Sequence, residues 1–139
     1  MFSKSKLLAT LAGFLVLYLL GWAFYGGLAE NFFLEHSVSG AHKGDSVDGI
    51  WQIAIGSSIV SFMMTTIYQK WAKDTYSAKS GFQFGAYIGI LLGLGLGIII
   101  YATTNFMDFT GQLVDGLWNV VYYGIAGAAI GSVFKKLQK

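Results

Sequence analysis

A chain of 139 residues has the length of one domain, but only 12% of its residues are charged and 55% are hydrophobic, whereas soluble domains carry about 25% charged residues. The absence of cysteine excludes disulfides, thiolate metal sites and cysteine nucleophiles. All nine basic residues are lysines, so no guanidinium clamp for phosphate exists, and a net charge of +2 is too small to point to nucleic acid.

Charges divide the chain into four uncharged runs, residues 7–29, 49–69, 80–107 and 116–134. Roughly 20 helical residues cross a ~30 Å hydrocarbon layer, so each run is long enough to be a span. Lys4 and Lys6 before the first run resemble the start of a secretory signal. The run exceeds the about 7–15 residues of a signal's apolar region, so it is expected to remain as a span. No proline interrupts the runs, which predicts continuous helices. The fold expected is an all-α membrane protein of four transmembrane helices, arranged as two tandem, similar hairpins over residues 1–74 and 75–139.

Lysines set the expected orientation. Lys4, Lys6, Lys70, Lys73, Lys79, Lys135, Lys136 and Lys139 fall on one face with Asp74 as the only acid there. The opposite face carries Glu30, Glu35, Asp45, Asp48, Asp108 and Asp115 against Lys43. Positive residues stay cytoplasmic, which places both termini inside. Trp71 at the inner boundary, and Trp51 and Trp118 at the outer one, suit interfacial aromatic belts.

Val47-Asp48-Gly49-Ile50-Trp51-Gln52-Ile53 returns as Val114-Asp115-Gly116-Leu117-Trp118-Asn119-Val120. Each copy opens an even-numbered span that ends in a lysine cluster. The pattern predicts duplication of a hairpin about a pseudo-twofold axis along the membrane normal. A shared interfacial need for Asp at a helix start and Trp in the belt would produce part of it without duplication.

The third run carries Gly81, Gly85, Gly89, Gly93 and Gly97 at a spacing of four, on one helix face. Gly127 and Gly131 repeat that spacing in the fourth run. Such rows let helices approach backbone to backbone, either within the bundle or in a homo-oligomer formed through span three.

Polar groups gather at the outer helix ends. Tyr25, Glu30, Asn31, Asp48, Gln52, Tyr101, Asn105, Asp108, Asp115 and Asn119 are expected to form an acidic, amide-rich cleft, and carboxylates and amide oxygens suit a cation or small polar ligand. Asp48 and Asp115 are also the residues that helix N-termini favour. Tyr101, Asn105 and Asp108 form one stripe if the third helix persists that far. In the longest loop Glu35, His36, His42 and Asp45 can ligate metals, but their spacing matches no zinc signature. No nucleophile–base pair and no cofactor motif is recognisable, and no ionisable group is expected at mid-membrane.

Gly21-Trp22-Ala23-Phe24-Tyr25, the glycine-rich third run leading to Thr104-Asn105-Phe106, and Asp115 opening the fourth resemble a widespread family of small four-helix prokaryotic membrane proteins of unknown function. The resemblance implies a bacterial inner-membrane location and brings no substrate. The strongest signals are packing signals. They point to a structural, accessory or assembly role with self-association, the alternative being transport, conduction or binding of a cation or small molecule in the outer cleft.

Overall fold

The structure, a computed structural model, describes residues 3–38 and 47–138, where the regular structure is all helical apart from one isolated bridge between Ser37 and Met107. Helix α1 (Lys4–Ala23) widens into a π-helical turn, Phe24–Leu28, and leads to the short α2 (Glu30–His36). Then come α3 (Val47–Trp71), α4 (Ala78–Gly89), a second π-helical turn (Ile90–Gly95), α5 (Leu96–Thr103) and α6 (Phe109–Leu137). Four stretches are long and apolar enough to cross a membrane: Lys4–Leu28, Gly49–Trp71, Ala78–Thr103 and Phe109–Leu137. The two ends of the bundle differ in charge, one a lysine end and the other an acidic end.

Side-chain caps explain where helices start. Ser3 Oγ accepts from Lys6 N at 3.2 Å, Ser77 Oγ from Ser80 N at 3.0 Å, and Asp108 Oδ1 from Gly111 N at 2.7 Å. Each satisfies an N–H that the helix itself leaves open. Asp108 therefore starts α6, and Asp115 is its seventh residue. The expectation that Asp115 opens span four is corrected, since a better cap lies seven residues earlier.

The fourth span is the hub. α6 lies along α4, the second π turn and α5 on one side and along α1 on the other, while α3 packs on α1 and hardly meets α4. A twofold relating two hairpins would match the α1–α6 contact with one between α4 and α3, and the chain makes those pairs very unequally.

The glycine row forms the tightest seam. A Cβ on Gly81 would fall on the carbonyl oxygen of Gly127, one on Gly85 on that of Tyr123, and one on Gly89 on that of Asn119. The row is thus filled by α6 of the same chain. Residues four apart drift by about 40° per step around a helix of 3.6 residues per turn, so five glycines would leave a straight seam. The π turn at Ile90–Gly95 underwinds the helix locally, and Gly93 and Gly97 still lie buried against Asn119 and Gln112. The lack of proline predicts continuous helices. The four spans are indeed unbroken helices, and two of them carry a π turn, a distortion that needs no proline.

At the lysine end the core is closed. Tyr68 and Phe134 are both 0% exposed. Tyr68 Oη bonds Ser80 Oγ at 2.7 Å and donates to the Ser77 carbonyl at 3.2 Å, and Phe134 stacks on Tyr76 with centroids 4.8 Å apart. Ser61 Oγ donates to the Thr10 carbonyl at 2.6 Å where α3 crosses α1 near Gly13. Lys6 is buried with its ammonium 4.6 Å from the Phe62 ring centroid. The loop from α3 to α4 turns through Lys73 and Asp74 in the left-handed region (φ 46° and 66°), closed by Thr75 N to Ala72 O at 2.9 Å.

Toward the acidic end α3 leaves the bundle. Trp51 is 69% exposed, Ile55 and Ile59 are exposed, and nothing lies within 4 Å of a Cβ placed on Gly56. Sealed at one end and parted at the other, the bundle opens between α1 and α3.

Candidate functional site: a cleft between α1 and α3

The parting leaves a half-open cavity of about 490 Å³, within the range of about 300–1,000 Å³ for small-molecule sites. Its α1 wall runs from Leu17 through Tyr18, Gly21 and Trp22 to Tyr25 and Gly26, its α3 wall is Gly49, Ile50 and Ile53, and Tyr122 of α6 forms the back. Glu30, Phe33 and Leu34 of α2 close its acidic end. From Leu17 to Glu30 the wall extends about 20 Å along the helix. The lining is mainly apolar and aromatic, with Glu30 as the one charged group among the described residues.

Local structure shapes this wall. Gly21 has no side chain, and a Cβ there would meet the Tyr122 hydroxyl at 3.1 Å. That hydroxyl donates to the Leu17 carbonyl, joining α6 to α1 at the floor of the cleft. The π turn closes with Ala29 N to Phe24 O at 2.8 Å, a bond spanning five residues. The turn carries Phe24 onto Trp118, ring centroids 3.8 Å apart at 12°, and brings Tyr25 Oη to Asp115 Oδ1 at 2.5 Å. Asn119 Nδ2 donates to Asp115 Oδ2 at 3.2 Å and to the Asp115 carbonyl at 2.8 Å. Tyr25 thus both lines the cleft and holds Asp115 with its hydroxyl. Trp118 is half-buried and stacked on Phe24, and its Nε1 is buried with no partner among the described residues.

The expected polar cleft is only partly assembled. Tyr25, Asp115 and Asn119 come together, and Tyr25 and Glu30 line the cavity. Asn31, Gln52 and Asn105 are exposed and do not line it. Tyr101 meets Phe109, ring centroids 5.3 Å apart. The stripe of Tyr101, Asn105 and Asp108 does not form, because α5 ends at Thr103 and the chain turns away. His42 and Asp45, and the side chain of Asp48, lie outside the described residues. Among the described residues no three His, Asp or Glu side chains converge on one point. Glu35 is exposed, and His36 is engaged with Asp108.

That last pair fastens the cleft's end wall. His36 Nδ1 lies 2.6 Å from Asp108 Oδ2, Asp108 N donates to the His36 carbonyl at 2.9 Å, and Val38 N donates to the Phe106 carbonyl at 3.1 Å. The α2 helix is thereby tied to the α5–α6 loop. The N–H of Gly111, and secondly His36, hold the Asp108 carboxyl below its ordinary value of 3.8. A depressed carboxyl contributes stability that is present above its ordinary value and lost as pH falls through the depressed one. Amide exchange at Val38 and Asp108 is therefore expected to accelerate, relative to its intrinsic rate, as pH falls below about 4. In Asp108→Asn the acid-side acceleration should vanish. Acceleration persisting in that variant would assign the linkage to another group.

Sequence reasoning missed the aromatic wall. Tyr18 and Trp22 are one turn apart with Gly21 beside them, a signal that was present but indistinguishable from lipid-facing aromatics without knowing where α3 lies. Comparison of the chain with protein-family models, curated proteins and solved structures found no match, so the geometry alone carries the functional reading.

Proposed function

We propose that the protein is an integral membrane binder of lipophilic cations, taking them into the cleft between α1 and α3 from the outer leaflet. The observation that carries this reading is the lining: Tyr18, Trp22, Tyr25, Phe33 and Tyr122 with Glu30 at the mouth and no basic side chain among the described residues. Aromatic faces attract cations, apolar walls accept hydrocarbon substituents, and one carboxylate supplies charge balance. The lysine bias supports cytoplasmic termini and an outward-facing acidic end, in the inner membrane of a prokaryote. The repeated Asp-Gly-x-Trp segments support descent from a duplicated hairpin.

Tetraphenylphosphonium is a suitable probe. In lipid nanodiscs the protein should bind it above the background of empty discs, quenching Trp22 fluorescence. Glu30→Gln should weaken binding by about two- to fivefold, the range of a solvent-exposed charge contact. Binding no greater than in empty discs would overturn the proposal.

A second reading, an accessory subunit that associates with itself, is favoured by the bare half of α3 around Trp51, Ile55 and Gly56. Because α6 fills the glycine row, association would use this face of α3. A dimer in the same nanodiscs that shields Trp51 and binds no cation would favour it.

A further inference from the structure

Asp115 does not itself line the cleft but is hydrogen-bonded to Tyr25, which does, and its position is unusual for a carboxylate. It lies beyond the first turn of α6, where the favourable field of a helix N-terminus has faded. Its side-chain oxygens accept from Tyr25 and Asn119, both neutral donors. Span three has no charged residue from Ser80 to Met107. No salt bridge to Asp115 forms among the described residues. Among the described residues the other ionisable groups near it are the phenols of Tyr122 and Tyr123 on its own helix and, across Tyr25, Glu30 on the cleft wall. Among the described residues its negative charge is thus hydrogen-bonded but meets no positive partner, and a half-buried charge acts most strongly on the groups it touches.

Between that charge and the cleft stands one ring. Tyr25 lines the cavity, and its hydroxyl is held by Asp115. A phenol that donates to a carboxylate is polarised, and electron density moves from the oxygen into the ring. The ring face, already negative, becomes a better seat for a cation. Glu30 already stands at the mouth, where water is at hand; a second carboxylate deeper in the wall would carry bound water into an apolar site. Behind the phenol it acts on the ligand while its oxygens remain satisfied.

We propose that Asp115 is the residue that makes the cleft selective for positive charge, acting through the hydroxyl of Tyr25. It is a positioning and polarising residue, not a ligand contact. The proposal rests on the cleft's reading as a lipophilic-cation site and adds which residues decide the sign of the charge accepted.

Tetraphenylphosphonium and tetraphenylborate share a four-phenyl shape and carry opposite charges, so their affinity ratio in nanodiscs, corrected for empty discs, reads selectivity apart from shape. Asp115→Asn should weaken the phosphonium by about tenfold and leave the borate unchanged or tighter. Tyr25→Phe keeps the ring but not the hydroxyl, and should lose most of the same discrimination. The double variant should lose no more than the larger single loss, since the two residues act in one chain, and Asp115→Glu should restore part of the ratio. A purely structural Asp115 would weaken both probes equally, and that result overturns the proposal. So does an unchanged ratio in Asp115→Asn, even while the wild-type protein binds the phosphonium as expected. Failure of the wild-type protein to bind the phosphonium removes the cleft reading and this inference with it.

Discussion

Gly85→Leu is expected to destroy the native bundle, whereas Gly56→Ala should leave it intact. At Gly85 the first side-chain carbon alone would fall on the backbone carbonyl of Tyr123, with the Gly124 Cα close behind. Neither can swing aside as a side-chain tip would. To admit a leucine, α4 must separate from α6 along the longest seam in the chain. Overpacking a core site costs about 1–3 kcal/mol and occasionally more, and backbone opposition on both sides places this substitution at the high end or beyond. Gly56 is the internal control, since its Cβ would meet nothing within 4 Å and alanine is the better helix former by about 1 kcal/mol. Gly97 gives a graded third case. Its obstacle is the Gln112 side chain, which can rotate, so Gly97→Ala should cost less than Gly85→Ala. Unfolding midpoints in detergent would rank the series as Gly56→Ala, Gly97→Ala, Gly85→Ala, Gly85→Leu from most to least stable. Equal midpoints for Gly85→Leu and the parent would mean that the row faces lipid and not α6.

Phe134→Ala carries the second large effect, at the opposite end of the molecule from the cleft. Phe134 is fully buried and stacks on Tyr76, with Tyr68 at 6.2 Å between centroids. Truncating a buried phenylalanine costs about 3–5 kcal/mol, the lost contacts plus the cavity left behind. Tyr68 and Tyr76 close the lysine end, and Tyr68 also bonds Ser77 and Ser80 at the start of α4, so α3, α4 and α6 all loosen together. The loss should appear as a lower unfolding midpoint and faster exchange of the Ala78–Gly89 amides. The hydrogen bond between Tyr25 and Asp115 is far from this site. Below the new midpoint Phe134→Ala should keep the parent's affinity for tetraphenylphosphonium. If the affinity fell with the stability, the sealed end and the cleft would be one cooperative unit, and the parting of α1 from α3 could not be treated as a preset feature.

The polar pattern at the acidic end shows where a one-dimensional reading reaches its limit. Tyr25, Asp115 and Asn119 share a level along the spans, and they do meet. Gln52, Asn31 and Asn105 stand near that level too and meet nothing in the cleft, because level is a property of one axis alone. Rotation about each helix axis and the tilt of α3 decide which of them face inward. The π turn at Phe24–Leu28 is equally hard to read. It turns Phe24 onto Trp118 and Tyr25 onto Asp115, and these long-range contacts make up for the weaker local hydrogen bonding. The cap at Asp108 places Asp115 in the interior of a helix, although in the chain it looks like the helix-opening copy of a repeat.

By itself the chain determined the features that spacing along one line can specify. Long uncharged runs specify four spans, because a bilayer tolerates backbone only when its hydrogen bonds are satisfied within the segment. Glycines four apart specify a close helix contact, because removing a side chain is the only way to bring backbones together. Tertiary structure decided which helix fills that row, where the bundle parts, and which aromatic rings face the opening. Those outcomes depend on how four cylinders rotate and tilt against one another. That choice is made by contacts between residues far apart in the chain, such as Gly85 with Tyr123 and Tyr25 with Asp115, which no local pattern encodes.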